Sequence, residues 1–127
     1  MVKVVYILHR RDDVTPQDFY AYWKNNHGPL VRSFAKAIRA IRYVQSHTID
    51  TPINDALRAS RDTEPRYDGV AELWWDSLDE LMGAATKDPK WQEASLALLE
   101  DEKKFIDLAN SPLLVATERP VVDGDIR

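Results

Sequence analysis

The chain has 127 residues, with 17 Lys+Arg against 21 Asp+Glu and a formal charge of -4. That length suits one domain, 44% hydrophobic residues suffice for a core, and 30% charged residues argue against disorder. No apolar run nears the roughly 20 residues of a membrane helix, Met1 to Val5 lacks a signal-peptide pattern, cysteine is absent, and mild acidity argues against nucleic acid, so a cytoplasmic setting is expected.

Val2 to His9 is rich in β-branched and aromatic residues and predicts a first strand, central in its sheet. Arg10 to Asp13 is a polar turn. Thr15, Pro16 and Asp18 supply an N-cap, a first-turn proline and an acid near the positive helix end, so a helix opens there. Phe19, Trp23 and His27 fall on one side of it. Gly28-Pro29 interrupts the run, because a residue before proline disfavours helix. Pro29 then begins a second piece with Leu30, Phe34 and Ile38 as its buried stripe.

Arg42 to Ile49 predicts a second strand, at a sheet edge. Thr51 to Arg66 is a long polar loop with a helical turn near Asn54 to Ala59, and loops of that length are usually functional or mobile. Tyr67 to Trp75 predicts the third strand. Ser77-Leu78-Asp79-Glu80 has capping-box spacing and starts a helix with Leu78, Leu81, Met82 and Ala85 as its apolar side. Asp88-Pro89 restarts it, with Trp91, Ala94 and Leu98 as the inner stripe. Glu100 to Lys104 reads as a solvated charge cluster, and Phe105 to Leu108 packs back onto the body. Leu113 to Glu118 is a fourth strand, at an edge because Pro112 and Pro120 bracket it. Residues 1–120 form the domain and 121–127 a loosely held tail.

The order β-α-β-β-α-β gives an α+β, ferredoxin-like fold: a four-stranded antiparallel sheet with its helices on one face. The other face stays uncovered. Alternate residues of the third strand, such as Ala71, Leu73 and Trp75, could make it apolar, and an apolar face predicts a homodimer of two sheets packed together.

His27 ends the aromatic stripe at a helix break, where an imidazole can face a cavity and move a proton near neutral pH. The structural alternative is a histidine bonded to a backbone carbonyl. Tyr43, Gln45 and His47 share one face of the second strand. That face lines a cavity if it meets the helices and means little if it meets water. Glu72 shares its face with Val70 and Trp74; a mid-strand carboxylate is either a base or anchor, or one half of a salt bridge to a residue such as Arg42. Tyr6, with Tyr20 and Tyr22 on the first helix, could also face a cavity, although such aromatics are more often core, and His9 beside Arg10 and Arg11 reads as solvated. The histidines are 18 and 20 residues apart, without metal-ligand spacing, and only 4 glycines are present, none clustered into a phosphate loop. No metal and no cofactor are expected.

Phe19-Tyr20-Ala21-Tyr22-Trp23 followed by His27-Gly28-Pro29-Leu30 resembles the helix signature of the EthD family. Tyr43 to His47, Asp68 to Trp74, and Asp101-Glu102 with Phe105-Ile106-Asp107 also resemble it, so the likeness runs from Val2 to about Glu118. It implies a dimeric α+β barrel with ferredoxin-like subunits and a ligand cavity between sheet and helices. The family's motif positions are Phe19, Trp23, His27 and Pro29. Members are linked to ether degradation as accessory proteins and to polyketide tailoring as dehydratases or decarboxylase-like enzymes.

The leading expectation is a cofactor-free lyase, dehydratase or isomerase acting on a small hydrophobic, aromatic or polyketide-like molecule. Its catalytic groups would be His27, Glu72 and His47, and its substrate walls Tyr6, Phe19, Trp23, Tyr43, Gln45 and Trp74. The alternative is a non-catalytic binding or accessory protein using the same pocket. A third reading is a monooxygenase, in whose haem-using form His27 or His47 would be the axial ligand.

Overall fold

Residues 1–124 are described by a computed structural model, apart from the side chains at 84–86, so the expected place of Ala85 on an apolar helix side lies outside the described residues. The elements are β1 (Val2–Leu8), α1 (Pro16–Tyr22), a π-helical turn (Trp23–His27), α2 (Gly28–Phe34), β2 (Arg42–His47), α3 (Pro52–Arg61), β3 (Gly69–Trp75), α4 (Leu78–Lys87), α5 (Pro89–Glu102) and β4 (Leu113–Ala116). The caps form where residue chemistry allows. Thr15, Ser77 and Asp88 side chains accept from the backbone N–H of Asp18, Glu80 and Lys90.

The sheet order is β2-β3-β1-β4, antiparallel throughout, with β1 and β3 central and β2 and β4 at the edges. The fold is α+β and ferredoxin-like. Among the described residues no helix is long and apolar enough to cross a membrane.

Period-two alternation divides the sheet cleanly. Tyr6, Leu8, Ala71 and Tyr43 meet Phe19, Trp23 and Phe105, while Val2, Val4, Leu73 and Trp75 meet Val31, Ile38, Ala94 and Leu98. The expectation that Ala71, Leu73 and Trp75 face away from the helices is therefore corrected. Trp75 is locked inward by donating its Nε1–H to the Ile38 carbonyl at 2.7 Å. The outward residues of β3 are Val70, Glu72 and Trp74. They lie beside Lys3, Val5, Ile7 and Val44, and Leu114 on β4 continues the face beyond Val5. This open face is mixed in character. Lys3 pairs with Glu72 at 2.5 Å and with Glu118 at 3.4 Å, and the Arg42 guanidinium covers the Trp74 ring at 4.5 Å. That cover leaves Trp74 only 5% exposed without any helix over it.

Three further expectations change. Gly28-Pro29 does not break the helix. Gly28 stays right-handed helical at φ -55, ψ -53, because it has no Cβ to collide with the proline ring, and the irregularity becomes the π turn before it. The 51–66 loop holds a full ten-residue helix, capped by Thr51 and closed by Asp62 in the left-handed region, where only a short turn was expected. The Glu100 to Lys104 cluster is not uniformly solvated: Asp101 is buried and Glu102 half-buried. At smaller scale, Leu78 and Met82 are exposed although placed on an apolar side, and His9 is half-buried against the Tyr67 ring at 4.2 Å.

Candidate active site

The site grows from the π turn. The Gly28 N–H reaches back five residues to the Trp23 carbonyl, one more than an α-helix uses. The same carbonyl accepts a second hydrogen bond from Gln45 Nε2 at 2.8 Å, so β2 clamps the turn. Gly28 leaves room for that approach: a Cβ there would stand 3.1 Å from Gln45 Nε2 and 3.3 Å from the Trp23 oxygen, so the clamp would have to give by a few tenths of an ångström. Trp23 is held on its other side by Gly69, where a Cβ would fall 2.5 Å from the indole. The turn ends on His27, which is 5% exposed.

His27 Nδ1 lies 2.7 Å from Asp101 Oδ2, in the last turn of α5. Asp101 also accepts from the Tyr22 hydroxyl at 2.5 Å, and Lys104 Nζ stands 3.3 Å from its Oδ1. A carboxylate can only accept, so Nδ1 carries the proton and the Nε2 lone pair remains available; among the described residues no protein group hydrogen-bonds to Nε2. Burial lowers the pKa of His27, against the raising influence of Asp101, which keeps the ring neutral near pH 7. Burial would raise the Asp101 pKa, but the hydrogen bonds from Tyr22, His27 and Lys104 outweigh it and hold the group below the usual carboxylate range. A carboxylate, an imidazole fixed in one tautomer and a free ring nitrogen make a general-base arrangement.

His27 lines a cavity of about 60 Å³ between helices and sheet, together with Tyr6, Tyr43 and Glu102 among apolar side chains such as Trp23, Leu73 and Leu98. Burial raises the Glu102 pKa to about 7, with Asp101 nearby adding to the effect and Tyr6 opposing it. Tyr6 is raised in turn, first by burial and then by the Glu102 charge. The cavity thus holds a neutral base and an acid that titrates near neutrality. Among the described residues no three His, Asp or Glu side chains group as a metal site.

The residues singled out from the sequence separate into four places. Tyr6, Trp23, His27 and Tyr43 line the cavity. Gln45 and His47 share the helix-facing side of β2 but sit outside it. Gln45 donates to the Tyr43 hydroxyl at 2.9 Å, and His47 Nε2 bonds Gln45 Oε1 at 2.8 Å while its ring stacks on Trp23 at 4.4 Å. Phe19 is a fully buried core residue packed on Trp23 and Phe105. Glu72 and Trp74 lie on the opposite sheet face, so neither reaches His27, and the salt-bridge partner of Glu72 is Lys3, not Arg42. The structure brings in Asp101 and Glu102, which sequence reasoning did not assign to the site, and ties Tyr22 to it through Asp101. The spacing carried a signal for Asp101: the stripe Ala94, Leu98 continues by three to Asp101 and by four to Phe105, which puts an acid on a buried helix face.

A family model described as the EthD domain matches residues 11–109. No match was found among curated proteins. Among solved structures, an EthD family protein from Bacillus halodurans is 20% identical, with a TM-score of 0.61 over 94% of this chain and 99% of its own. An EthD-like protein from Ralstonia eutropha is 14% identical, with a TM-score of 0.56 over 99% and 97%. SnoaB of Streptomyces nogalater, described as a cofactor-independent oxygenase, is 15% identical, with a TM-score of 0.55 over 97% of each chain. At these identities the structural likenesses establish the fold.

Proposed function

The chain belongs to the EthD domain family, and from that premise we propose a cofactor-free acid–base enzyme of the lyase, dehydratase or isomerase type, acting on a small hydrophobic or aromatic molecule. One observation carries this reading: the His27 Nδ1 contact to buried Asp101 at 2.7 Å, on a ring that lines a cavity. His27 Nε2 takes a proton from the substrate. Asp101 fixes the tautomer and stabilises the imidazolium that forms, by the logic of other carboxylate–histidine pairs. Glu102, beside Tyr6, is the group able to return a proton, since it is partly protonated near neutral pH. Tyr43 and Trp23 form the wall. His47 acts on this site through Gln45 and through its stack on Trp23, and Glu72 belongs to the open sheet face. The cofactor-independent oxygenase of the same fold is compatible with chemistry performed by side chains alone.

The open face, with Val5, Ile7, Val44, Val70 and Leu114 around the Lys3–Glu72 pair, supports a homodimer in which two sheets meet. The test of the catalytic reading is turnover across a panel of phenolic and polyketide-like compounds. His27→Ala should cost at least ~10²-fold in kcat on any compound the native protein converts. Unchanged kcat removes His27 from the mechanism. His27→Gln, which keeps a donor toward Asp101, separates a folding defect from a chemical one.

A second reading, a binding or accessory protein without turnover, is favoured by the cavity size. About 60 Å³ is far below the roughly 300–1,000 Å³ of small-molecule sites. Recovery of a co-purified small molecule, chemically unchanged after incubation with the protein, would support it.

A further inference from the structure

Across Tyr43 from the cavity lies an open groove of about 410 Å³. Tyr43 lines both spaces and is the lining residue they share. The groove wall is basic. Lys24 on the π turn and Arg32 on α2 flank Gly28 at intervals of four residues, and Arg42 joins them from the start of β2. No Asp or Glu lines it. This runs against the balance of a chain whose net charge is -4. Among the described residues, the Lys24 and Arg32 side chains form neither a salt bridge nor a hydrogen bond with the protein, while Arg42 stacks on Trp74 at 4.5 Å. The floor is small and apolar, from the turn spanning 35–41. Unpaired cations gathered over an apolar floor suit a ligand with one anionic end and a flat apolar body.

We propose that this groove recognises a carboxylate on the substrate, so that the substrate class is a small aromatic acid. The inference rests on the acid–base reading for what happens at His27, and on the groove alone for binding. Lys24 and Arg32 hold the carboxylate, and the apolar body lies toward Tyr43. Gln45 Nε2 holds the Tyr43 hydroxyl at 2.9 Å and also donates to the Trp23 carbonyl at 2.8 Å. Displacing that single phenol joins groove and cavity and brings the far end of the ligand to His27. The small cavity beside His27, too small by itself for an aromatic acid, is then the inner end of a larger site.

The probe is 2-naphthoate, compared with neutral 2-naphthalenemethanol, by titration calorimetry at low and high salt. The native protein should bind the acid at least ~10-fold more tightly than the alcohol, and the preference should shrink at high salt, because the cations are exposed. Arg32→Ala combined with Lys24→Ala should abolish the preference. Lys36→Ala, on the same segment but outside the groove, should leave it unchanged. His27→Ala should keep the acid preference whether or not it affects turnover, so failure of the catalytic reading and failure of this site are told apart. Equal affinity for acid and alcohol overturns the proposal. So does loss of preference in Lys36→Ala, or inorganic phosphate displacing naphthoate at equal concentration, which would mean that the apolar body contributes nothing.

Discussion

Glu102→Gln isolates the energetic consequence of placing a carboxyl against the cavity. Burial raises this group from its ordinary value of 4.5 to about 7. The native state therefore keeps a proton that the unfolded chain releases. With the folded pKa raised, the stabilisation is fully present below pH 4.5 and is lost as pH rises through about 7. At about 1.4 kcal/mol per pH unit, the full loss is on the order of 3 kcal/mol, of which about 2.5 kcal/mol falls between pH 5 and pH 9. A glutamine keeps the shape and never ionises, so it should be spared that loss. Urea denaturation of both proteins at intervals from pH 5 to pH 9 reads the difference directly. The variant should gain about 2.5 kcal/mol relative to the native protein across that range, because the titrations of other groups largely cancel in the comparison. A difference that stays flat within about 0.5 kcal/mol would refute the placement of Glu102 as a buried, protonated acid.

Asp101→Asn removes the charged acceptor shared by His27 and Tyr22, so it should lower stability by about 2 kcal/mol and move the His27 pKa further down, as read by NMR titration of the ring. Because the folded Asp101 pKa is depressed, its contribution is present above pH 3.8 and lost as pH falls through the lower folded value; the variant should lack that part of the acid limb. Gly69→Ala would put a Cβ 2.5 Å from the Trp23 ring and 2.8 Å from the Ser46 carbonyl, so a calorimetric scan should show a loss of about 2–3 kcal/mol, roughly 10 °C in Tm. Val5→Lys places a cation on the open sheet face opposite Glu72, where a monomer can accommodate it and a sheet-to-sheet dimer cannot. Sedimentation should show the native protein at twice its 14.6 kDa mass and the variant at that mass.

Much of the architecture was legible residue by residue. Thr15-Pro16, Ser77 through Glu80 and Asp88-Pro89 announce helix starts because capping is a local contact between neighbours in the chain. The alternation Tyr43, Gln45, His47 and the stripe Phe19, Trp23, His27 gave correct shared faces for the same reason: period is a property of the backbone itself. What alternation cannot say is which face the helices cover. Ala71, Leu73 and Trp75 are apolar while Val70, Glu72 and Trp74 carry one carboxylate, but a carboxylate can be satisfied by an ion pair on either face, and the packing of α2 and α5 buried the first set. Glu72 was misplaced as a companion of His27 by that same ambiguity. The pairing of His27 with Asp101 spans 74 residues, and no local rule reaches so far. The π turn that aims the imidazole depends on Gln45, 22 residues away from the carbonyl it clamps. Chain chemistry thus determined the elements and their order, whereas long-range contacts chose the buried side of the sheet and so set one histidine, of three, against the cavity between helices and sheet.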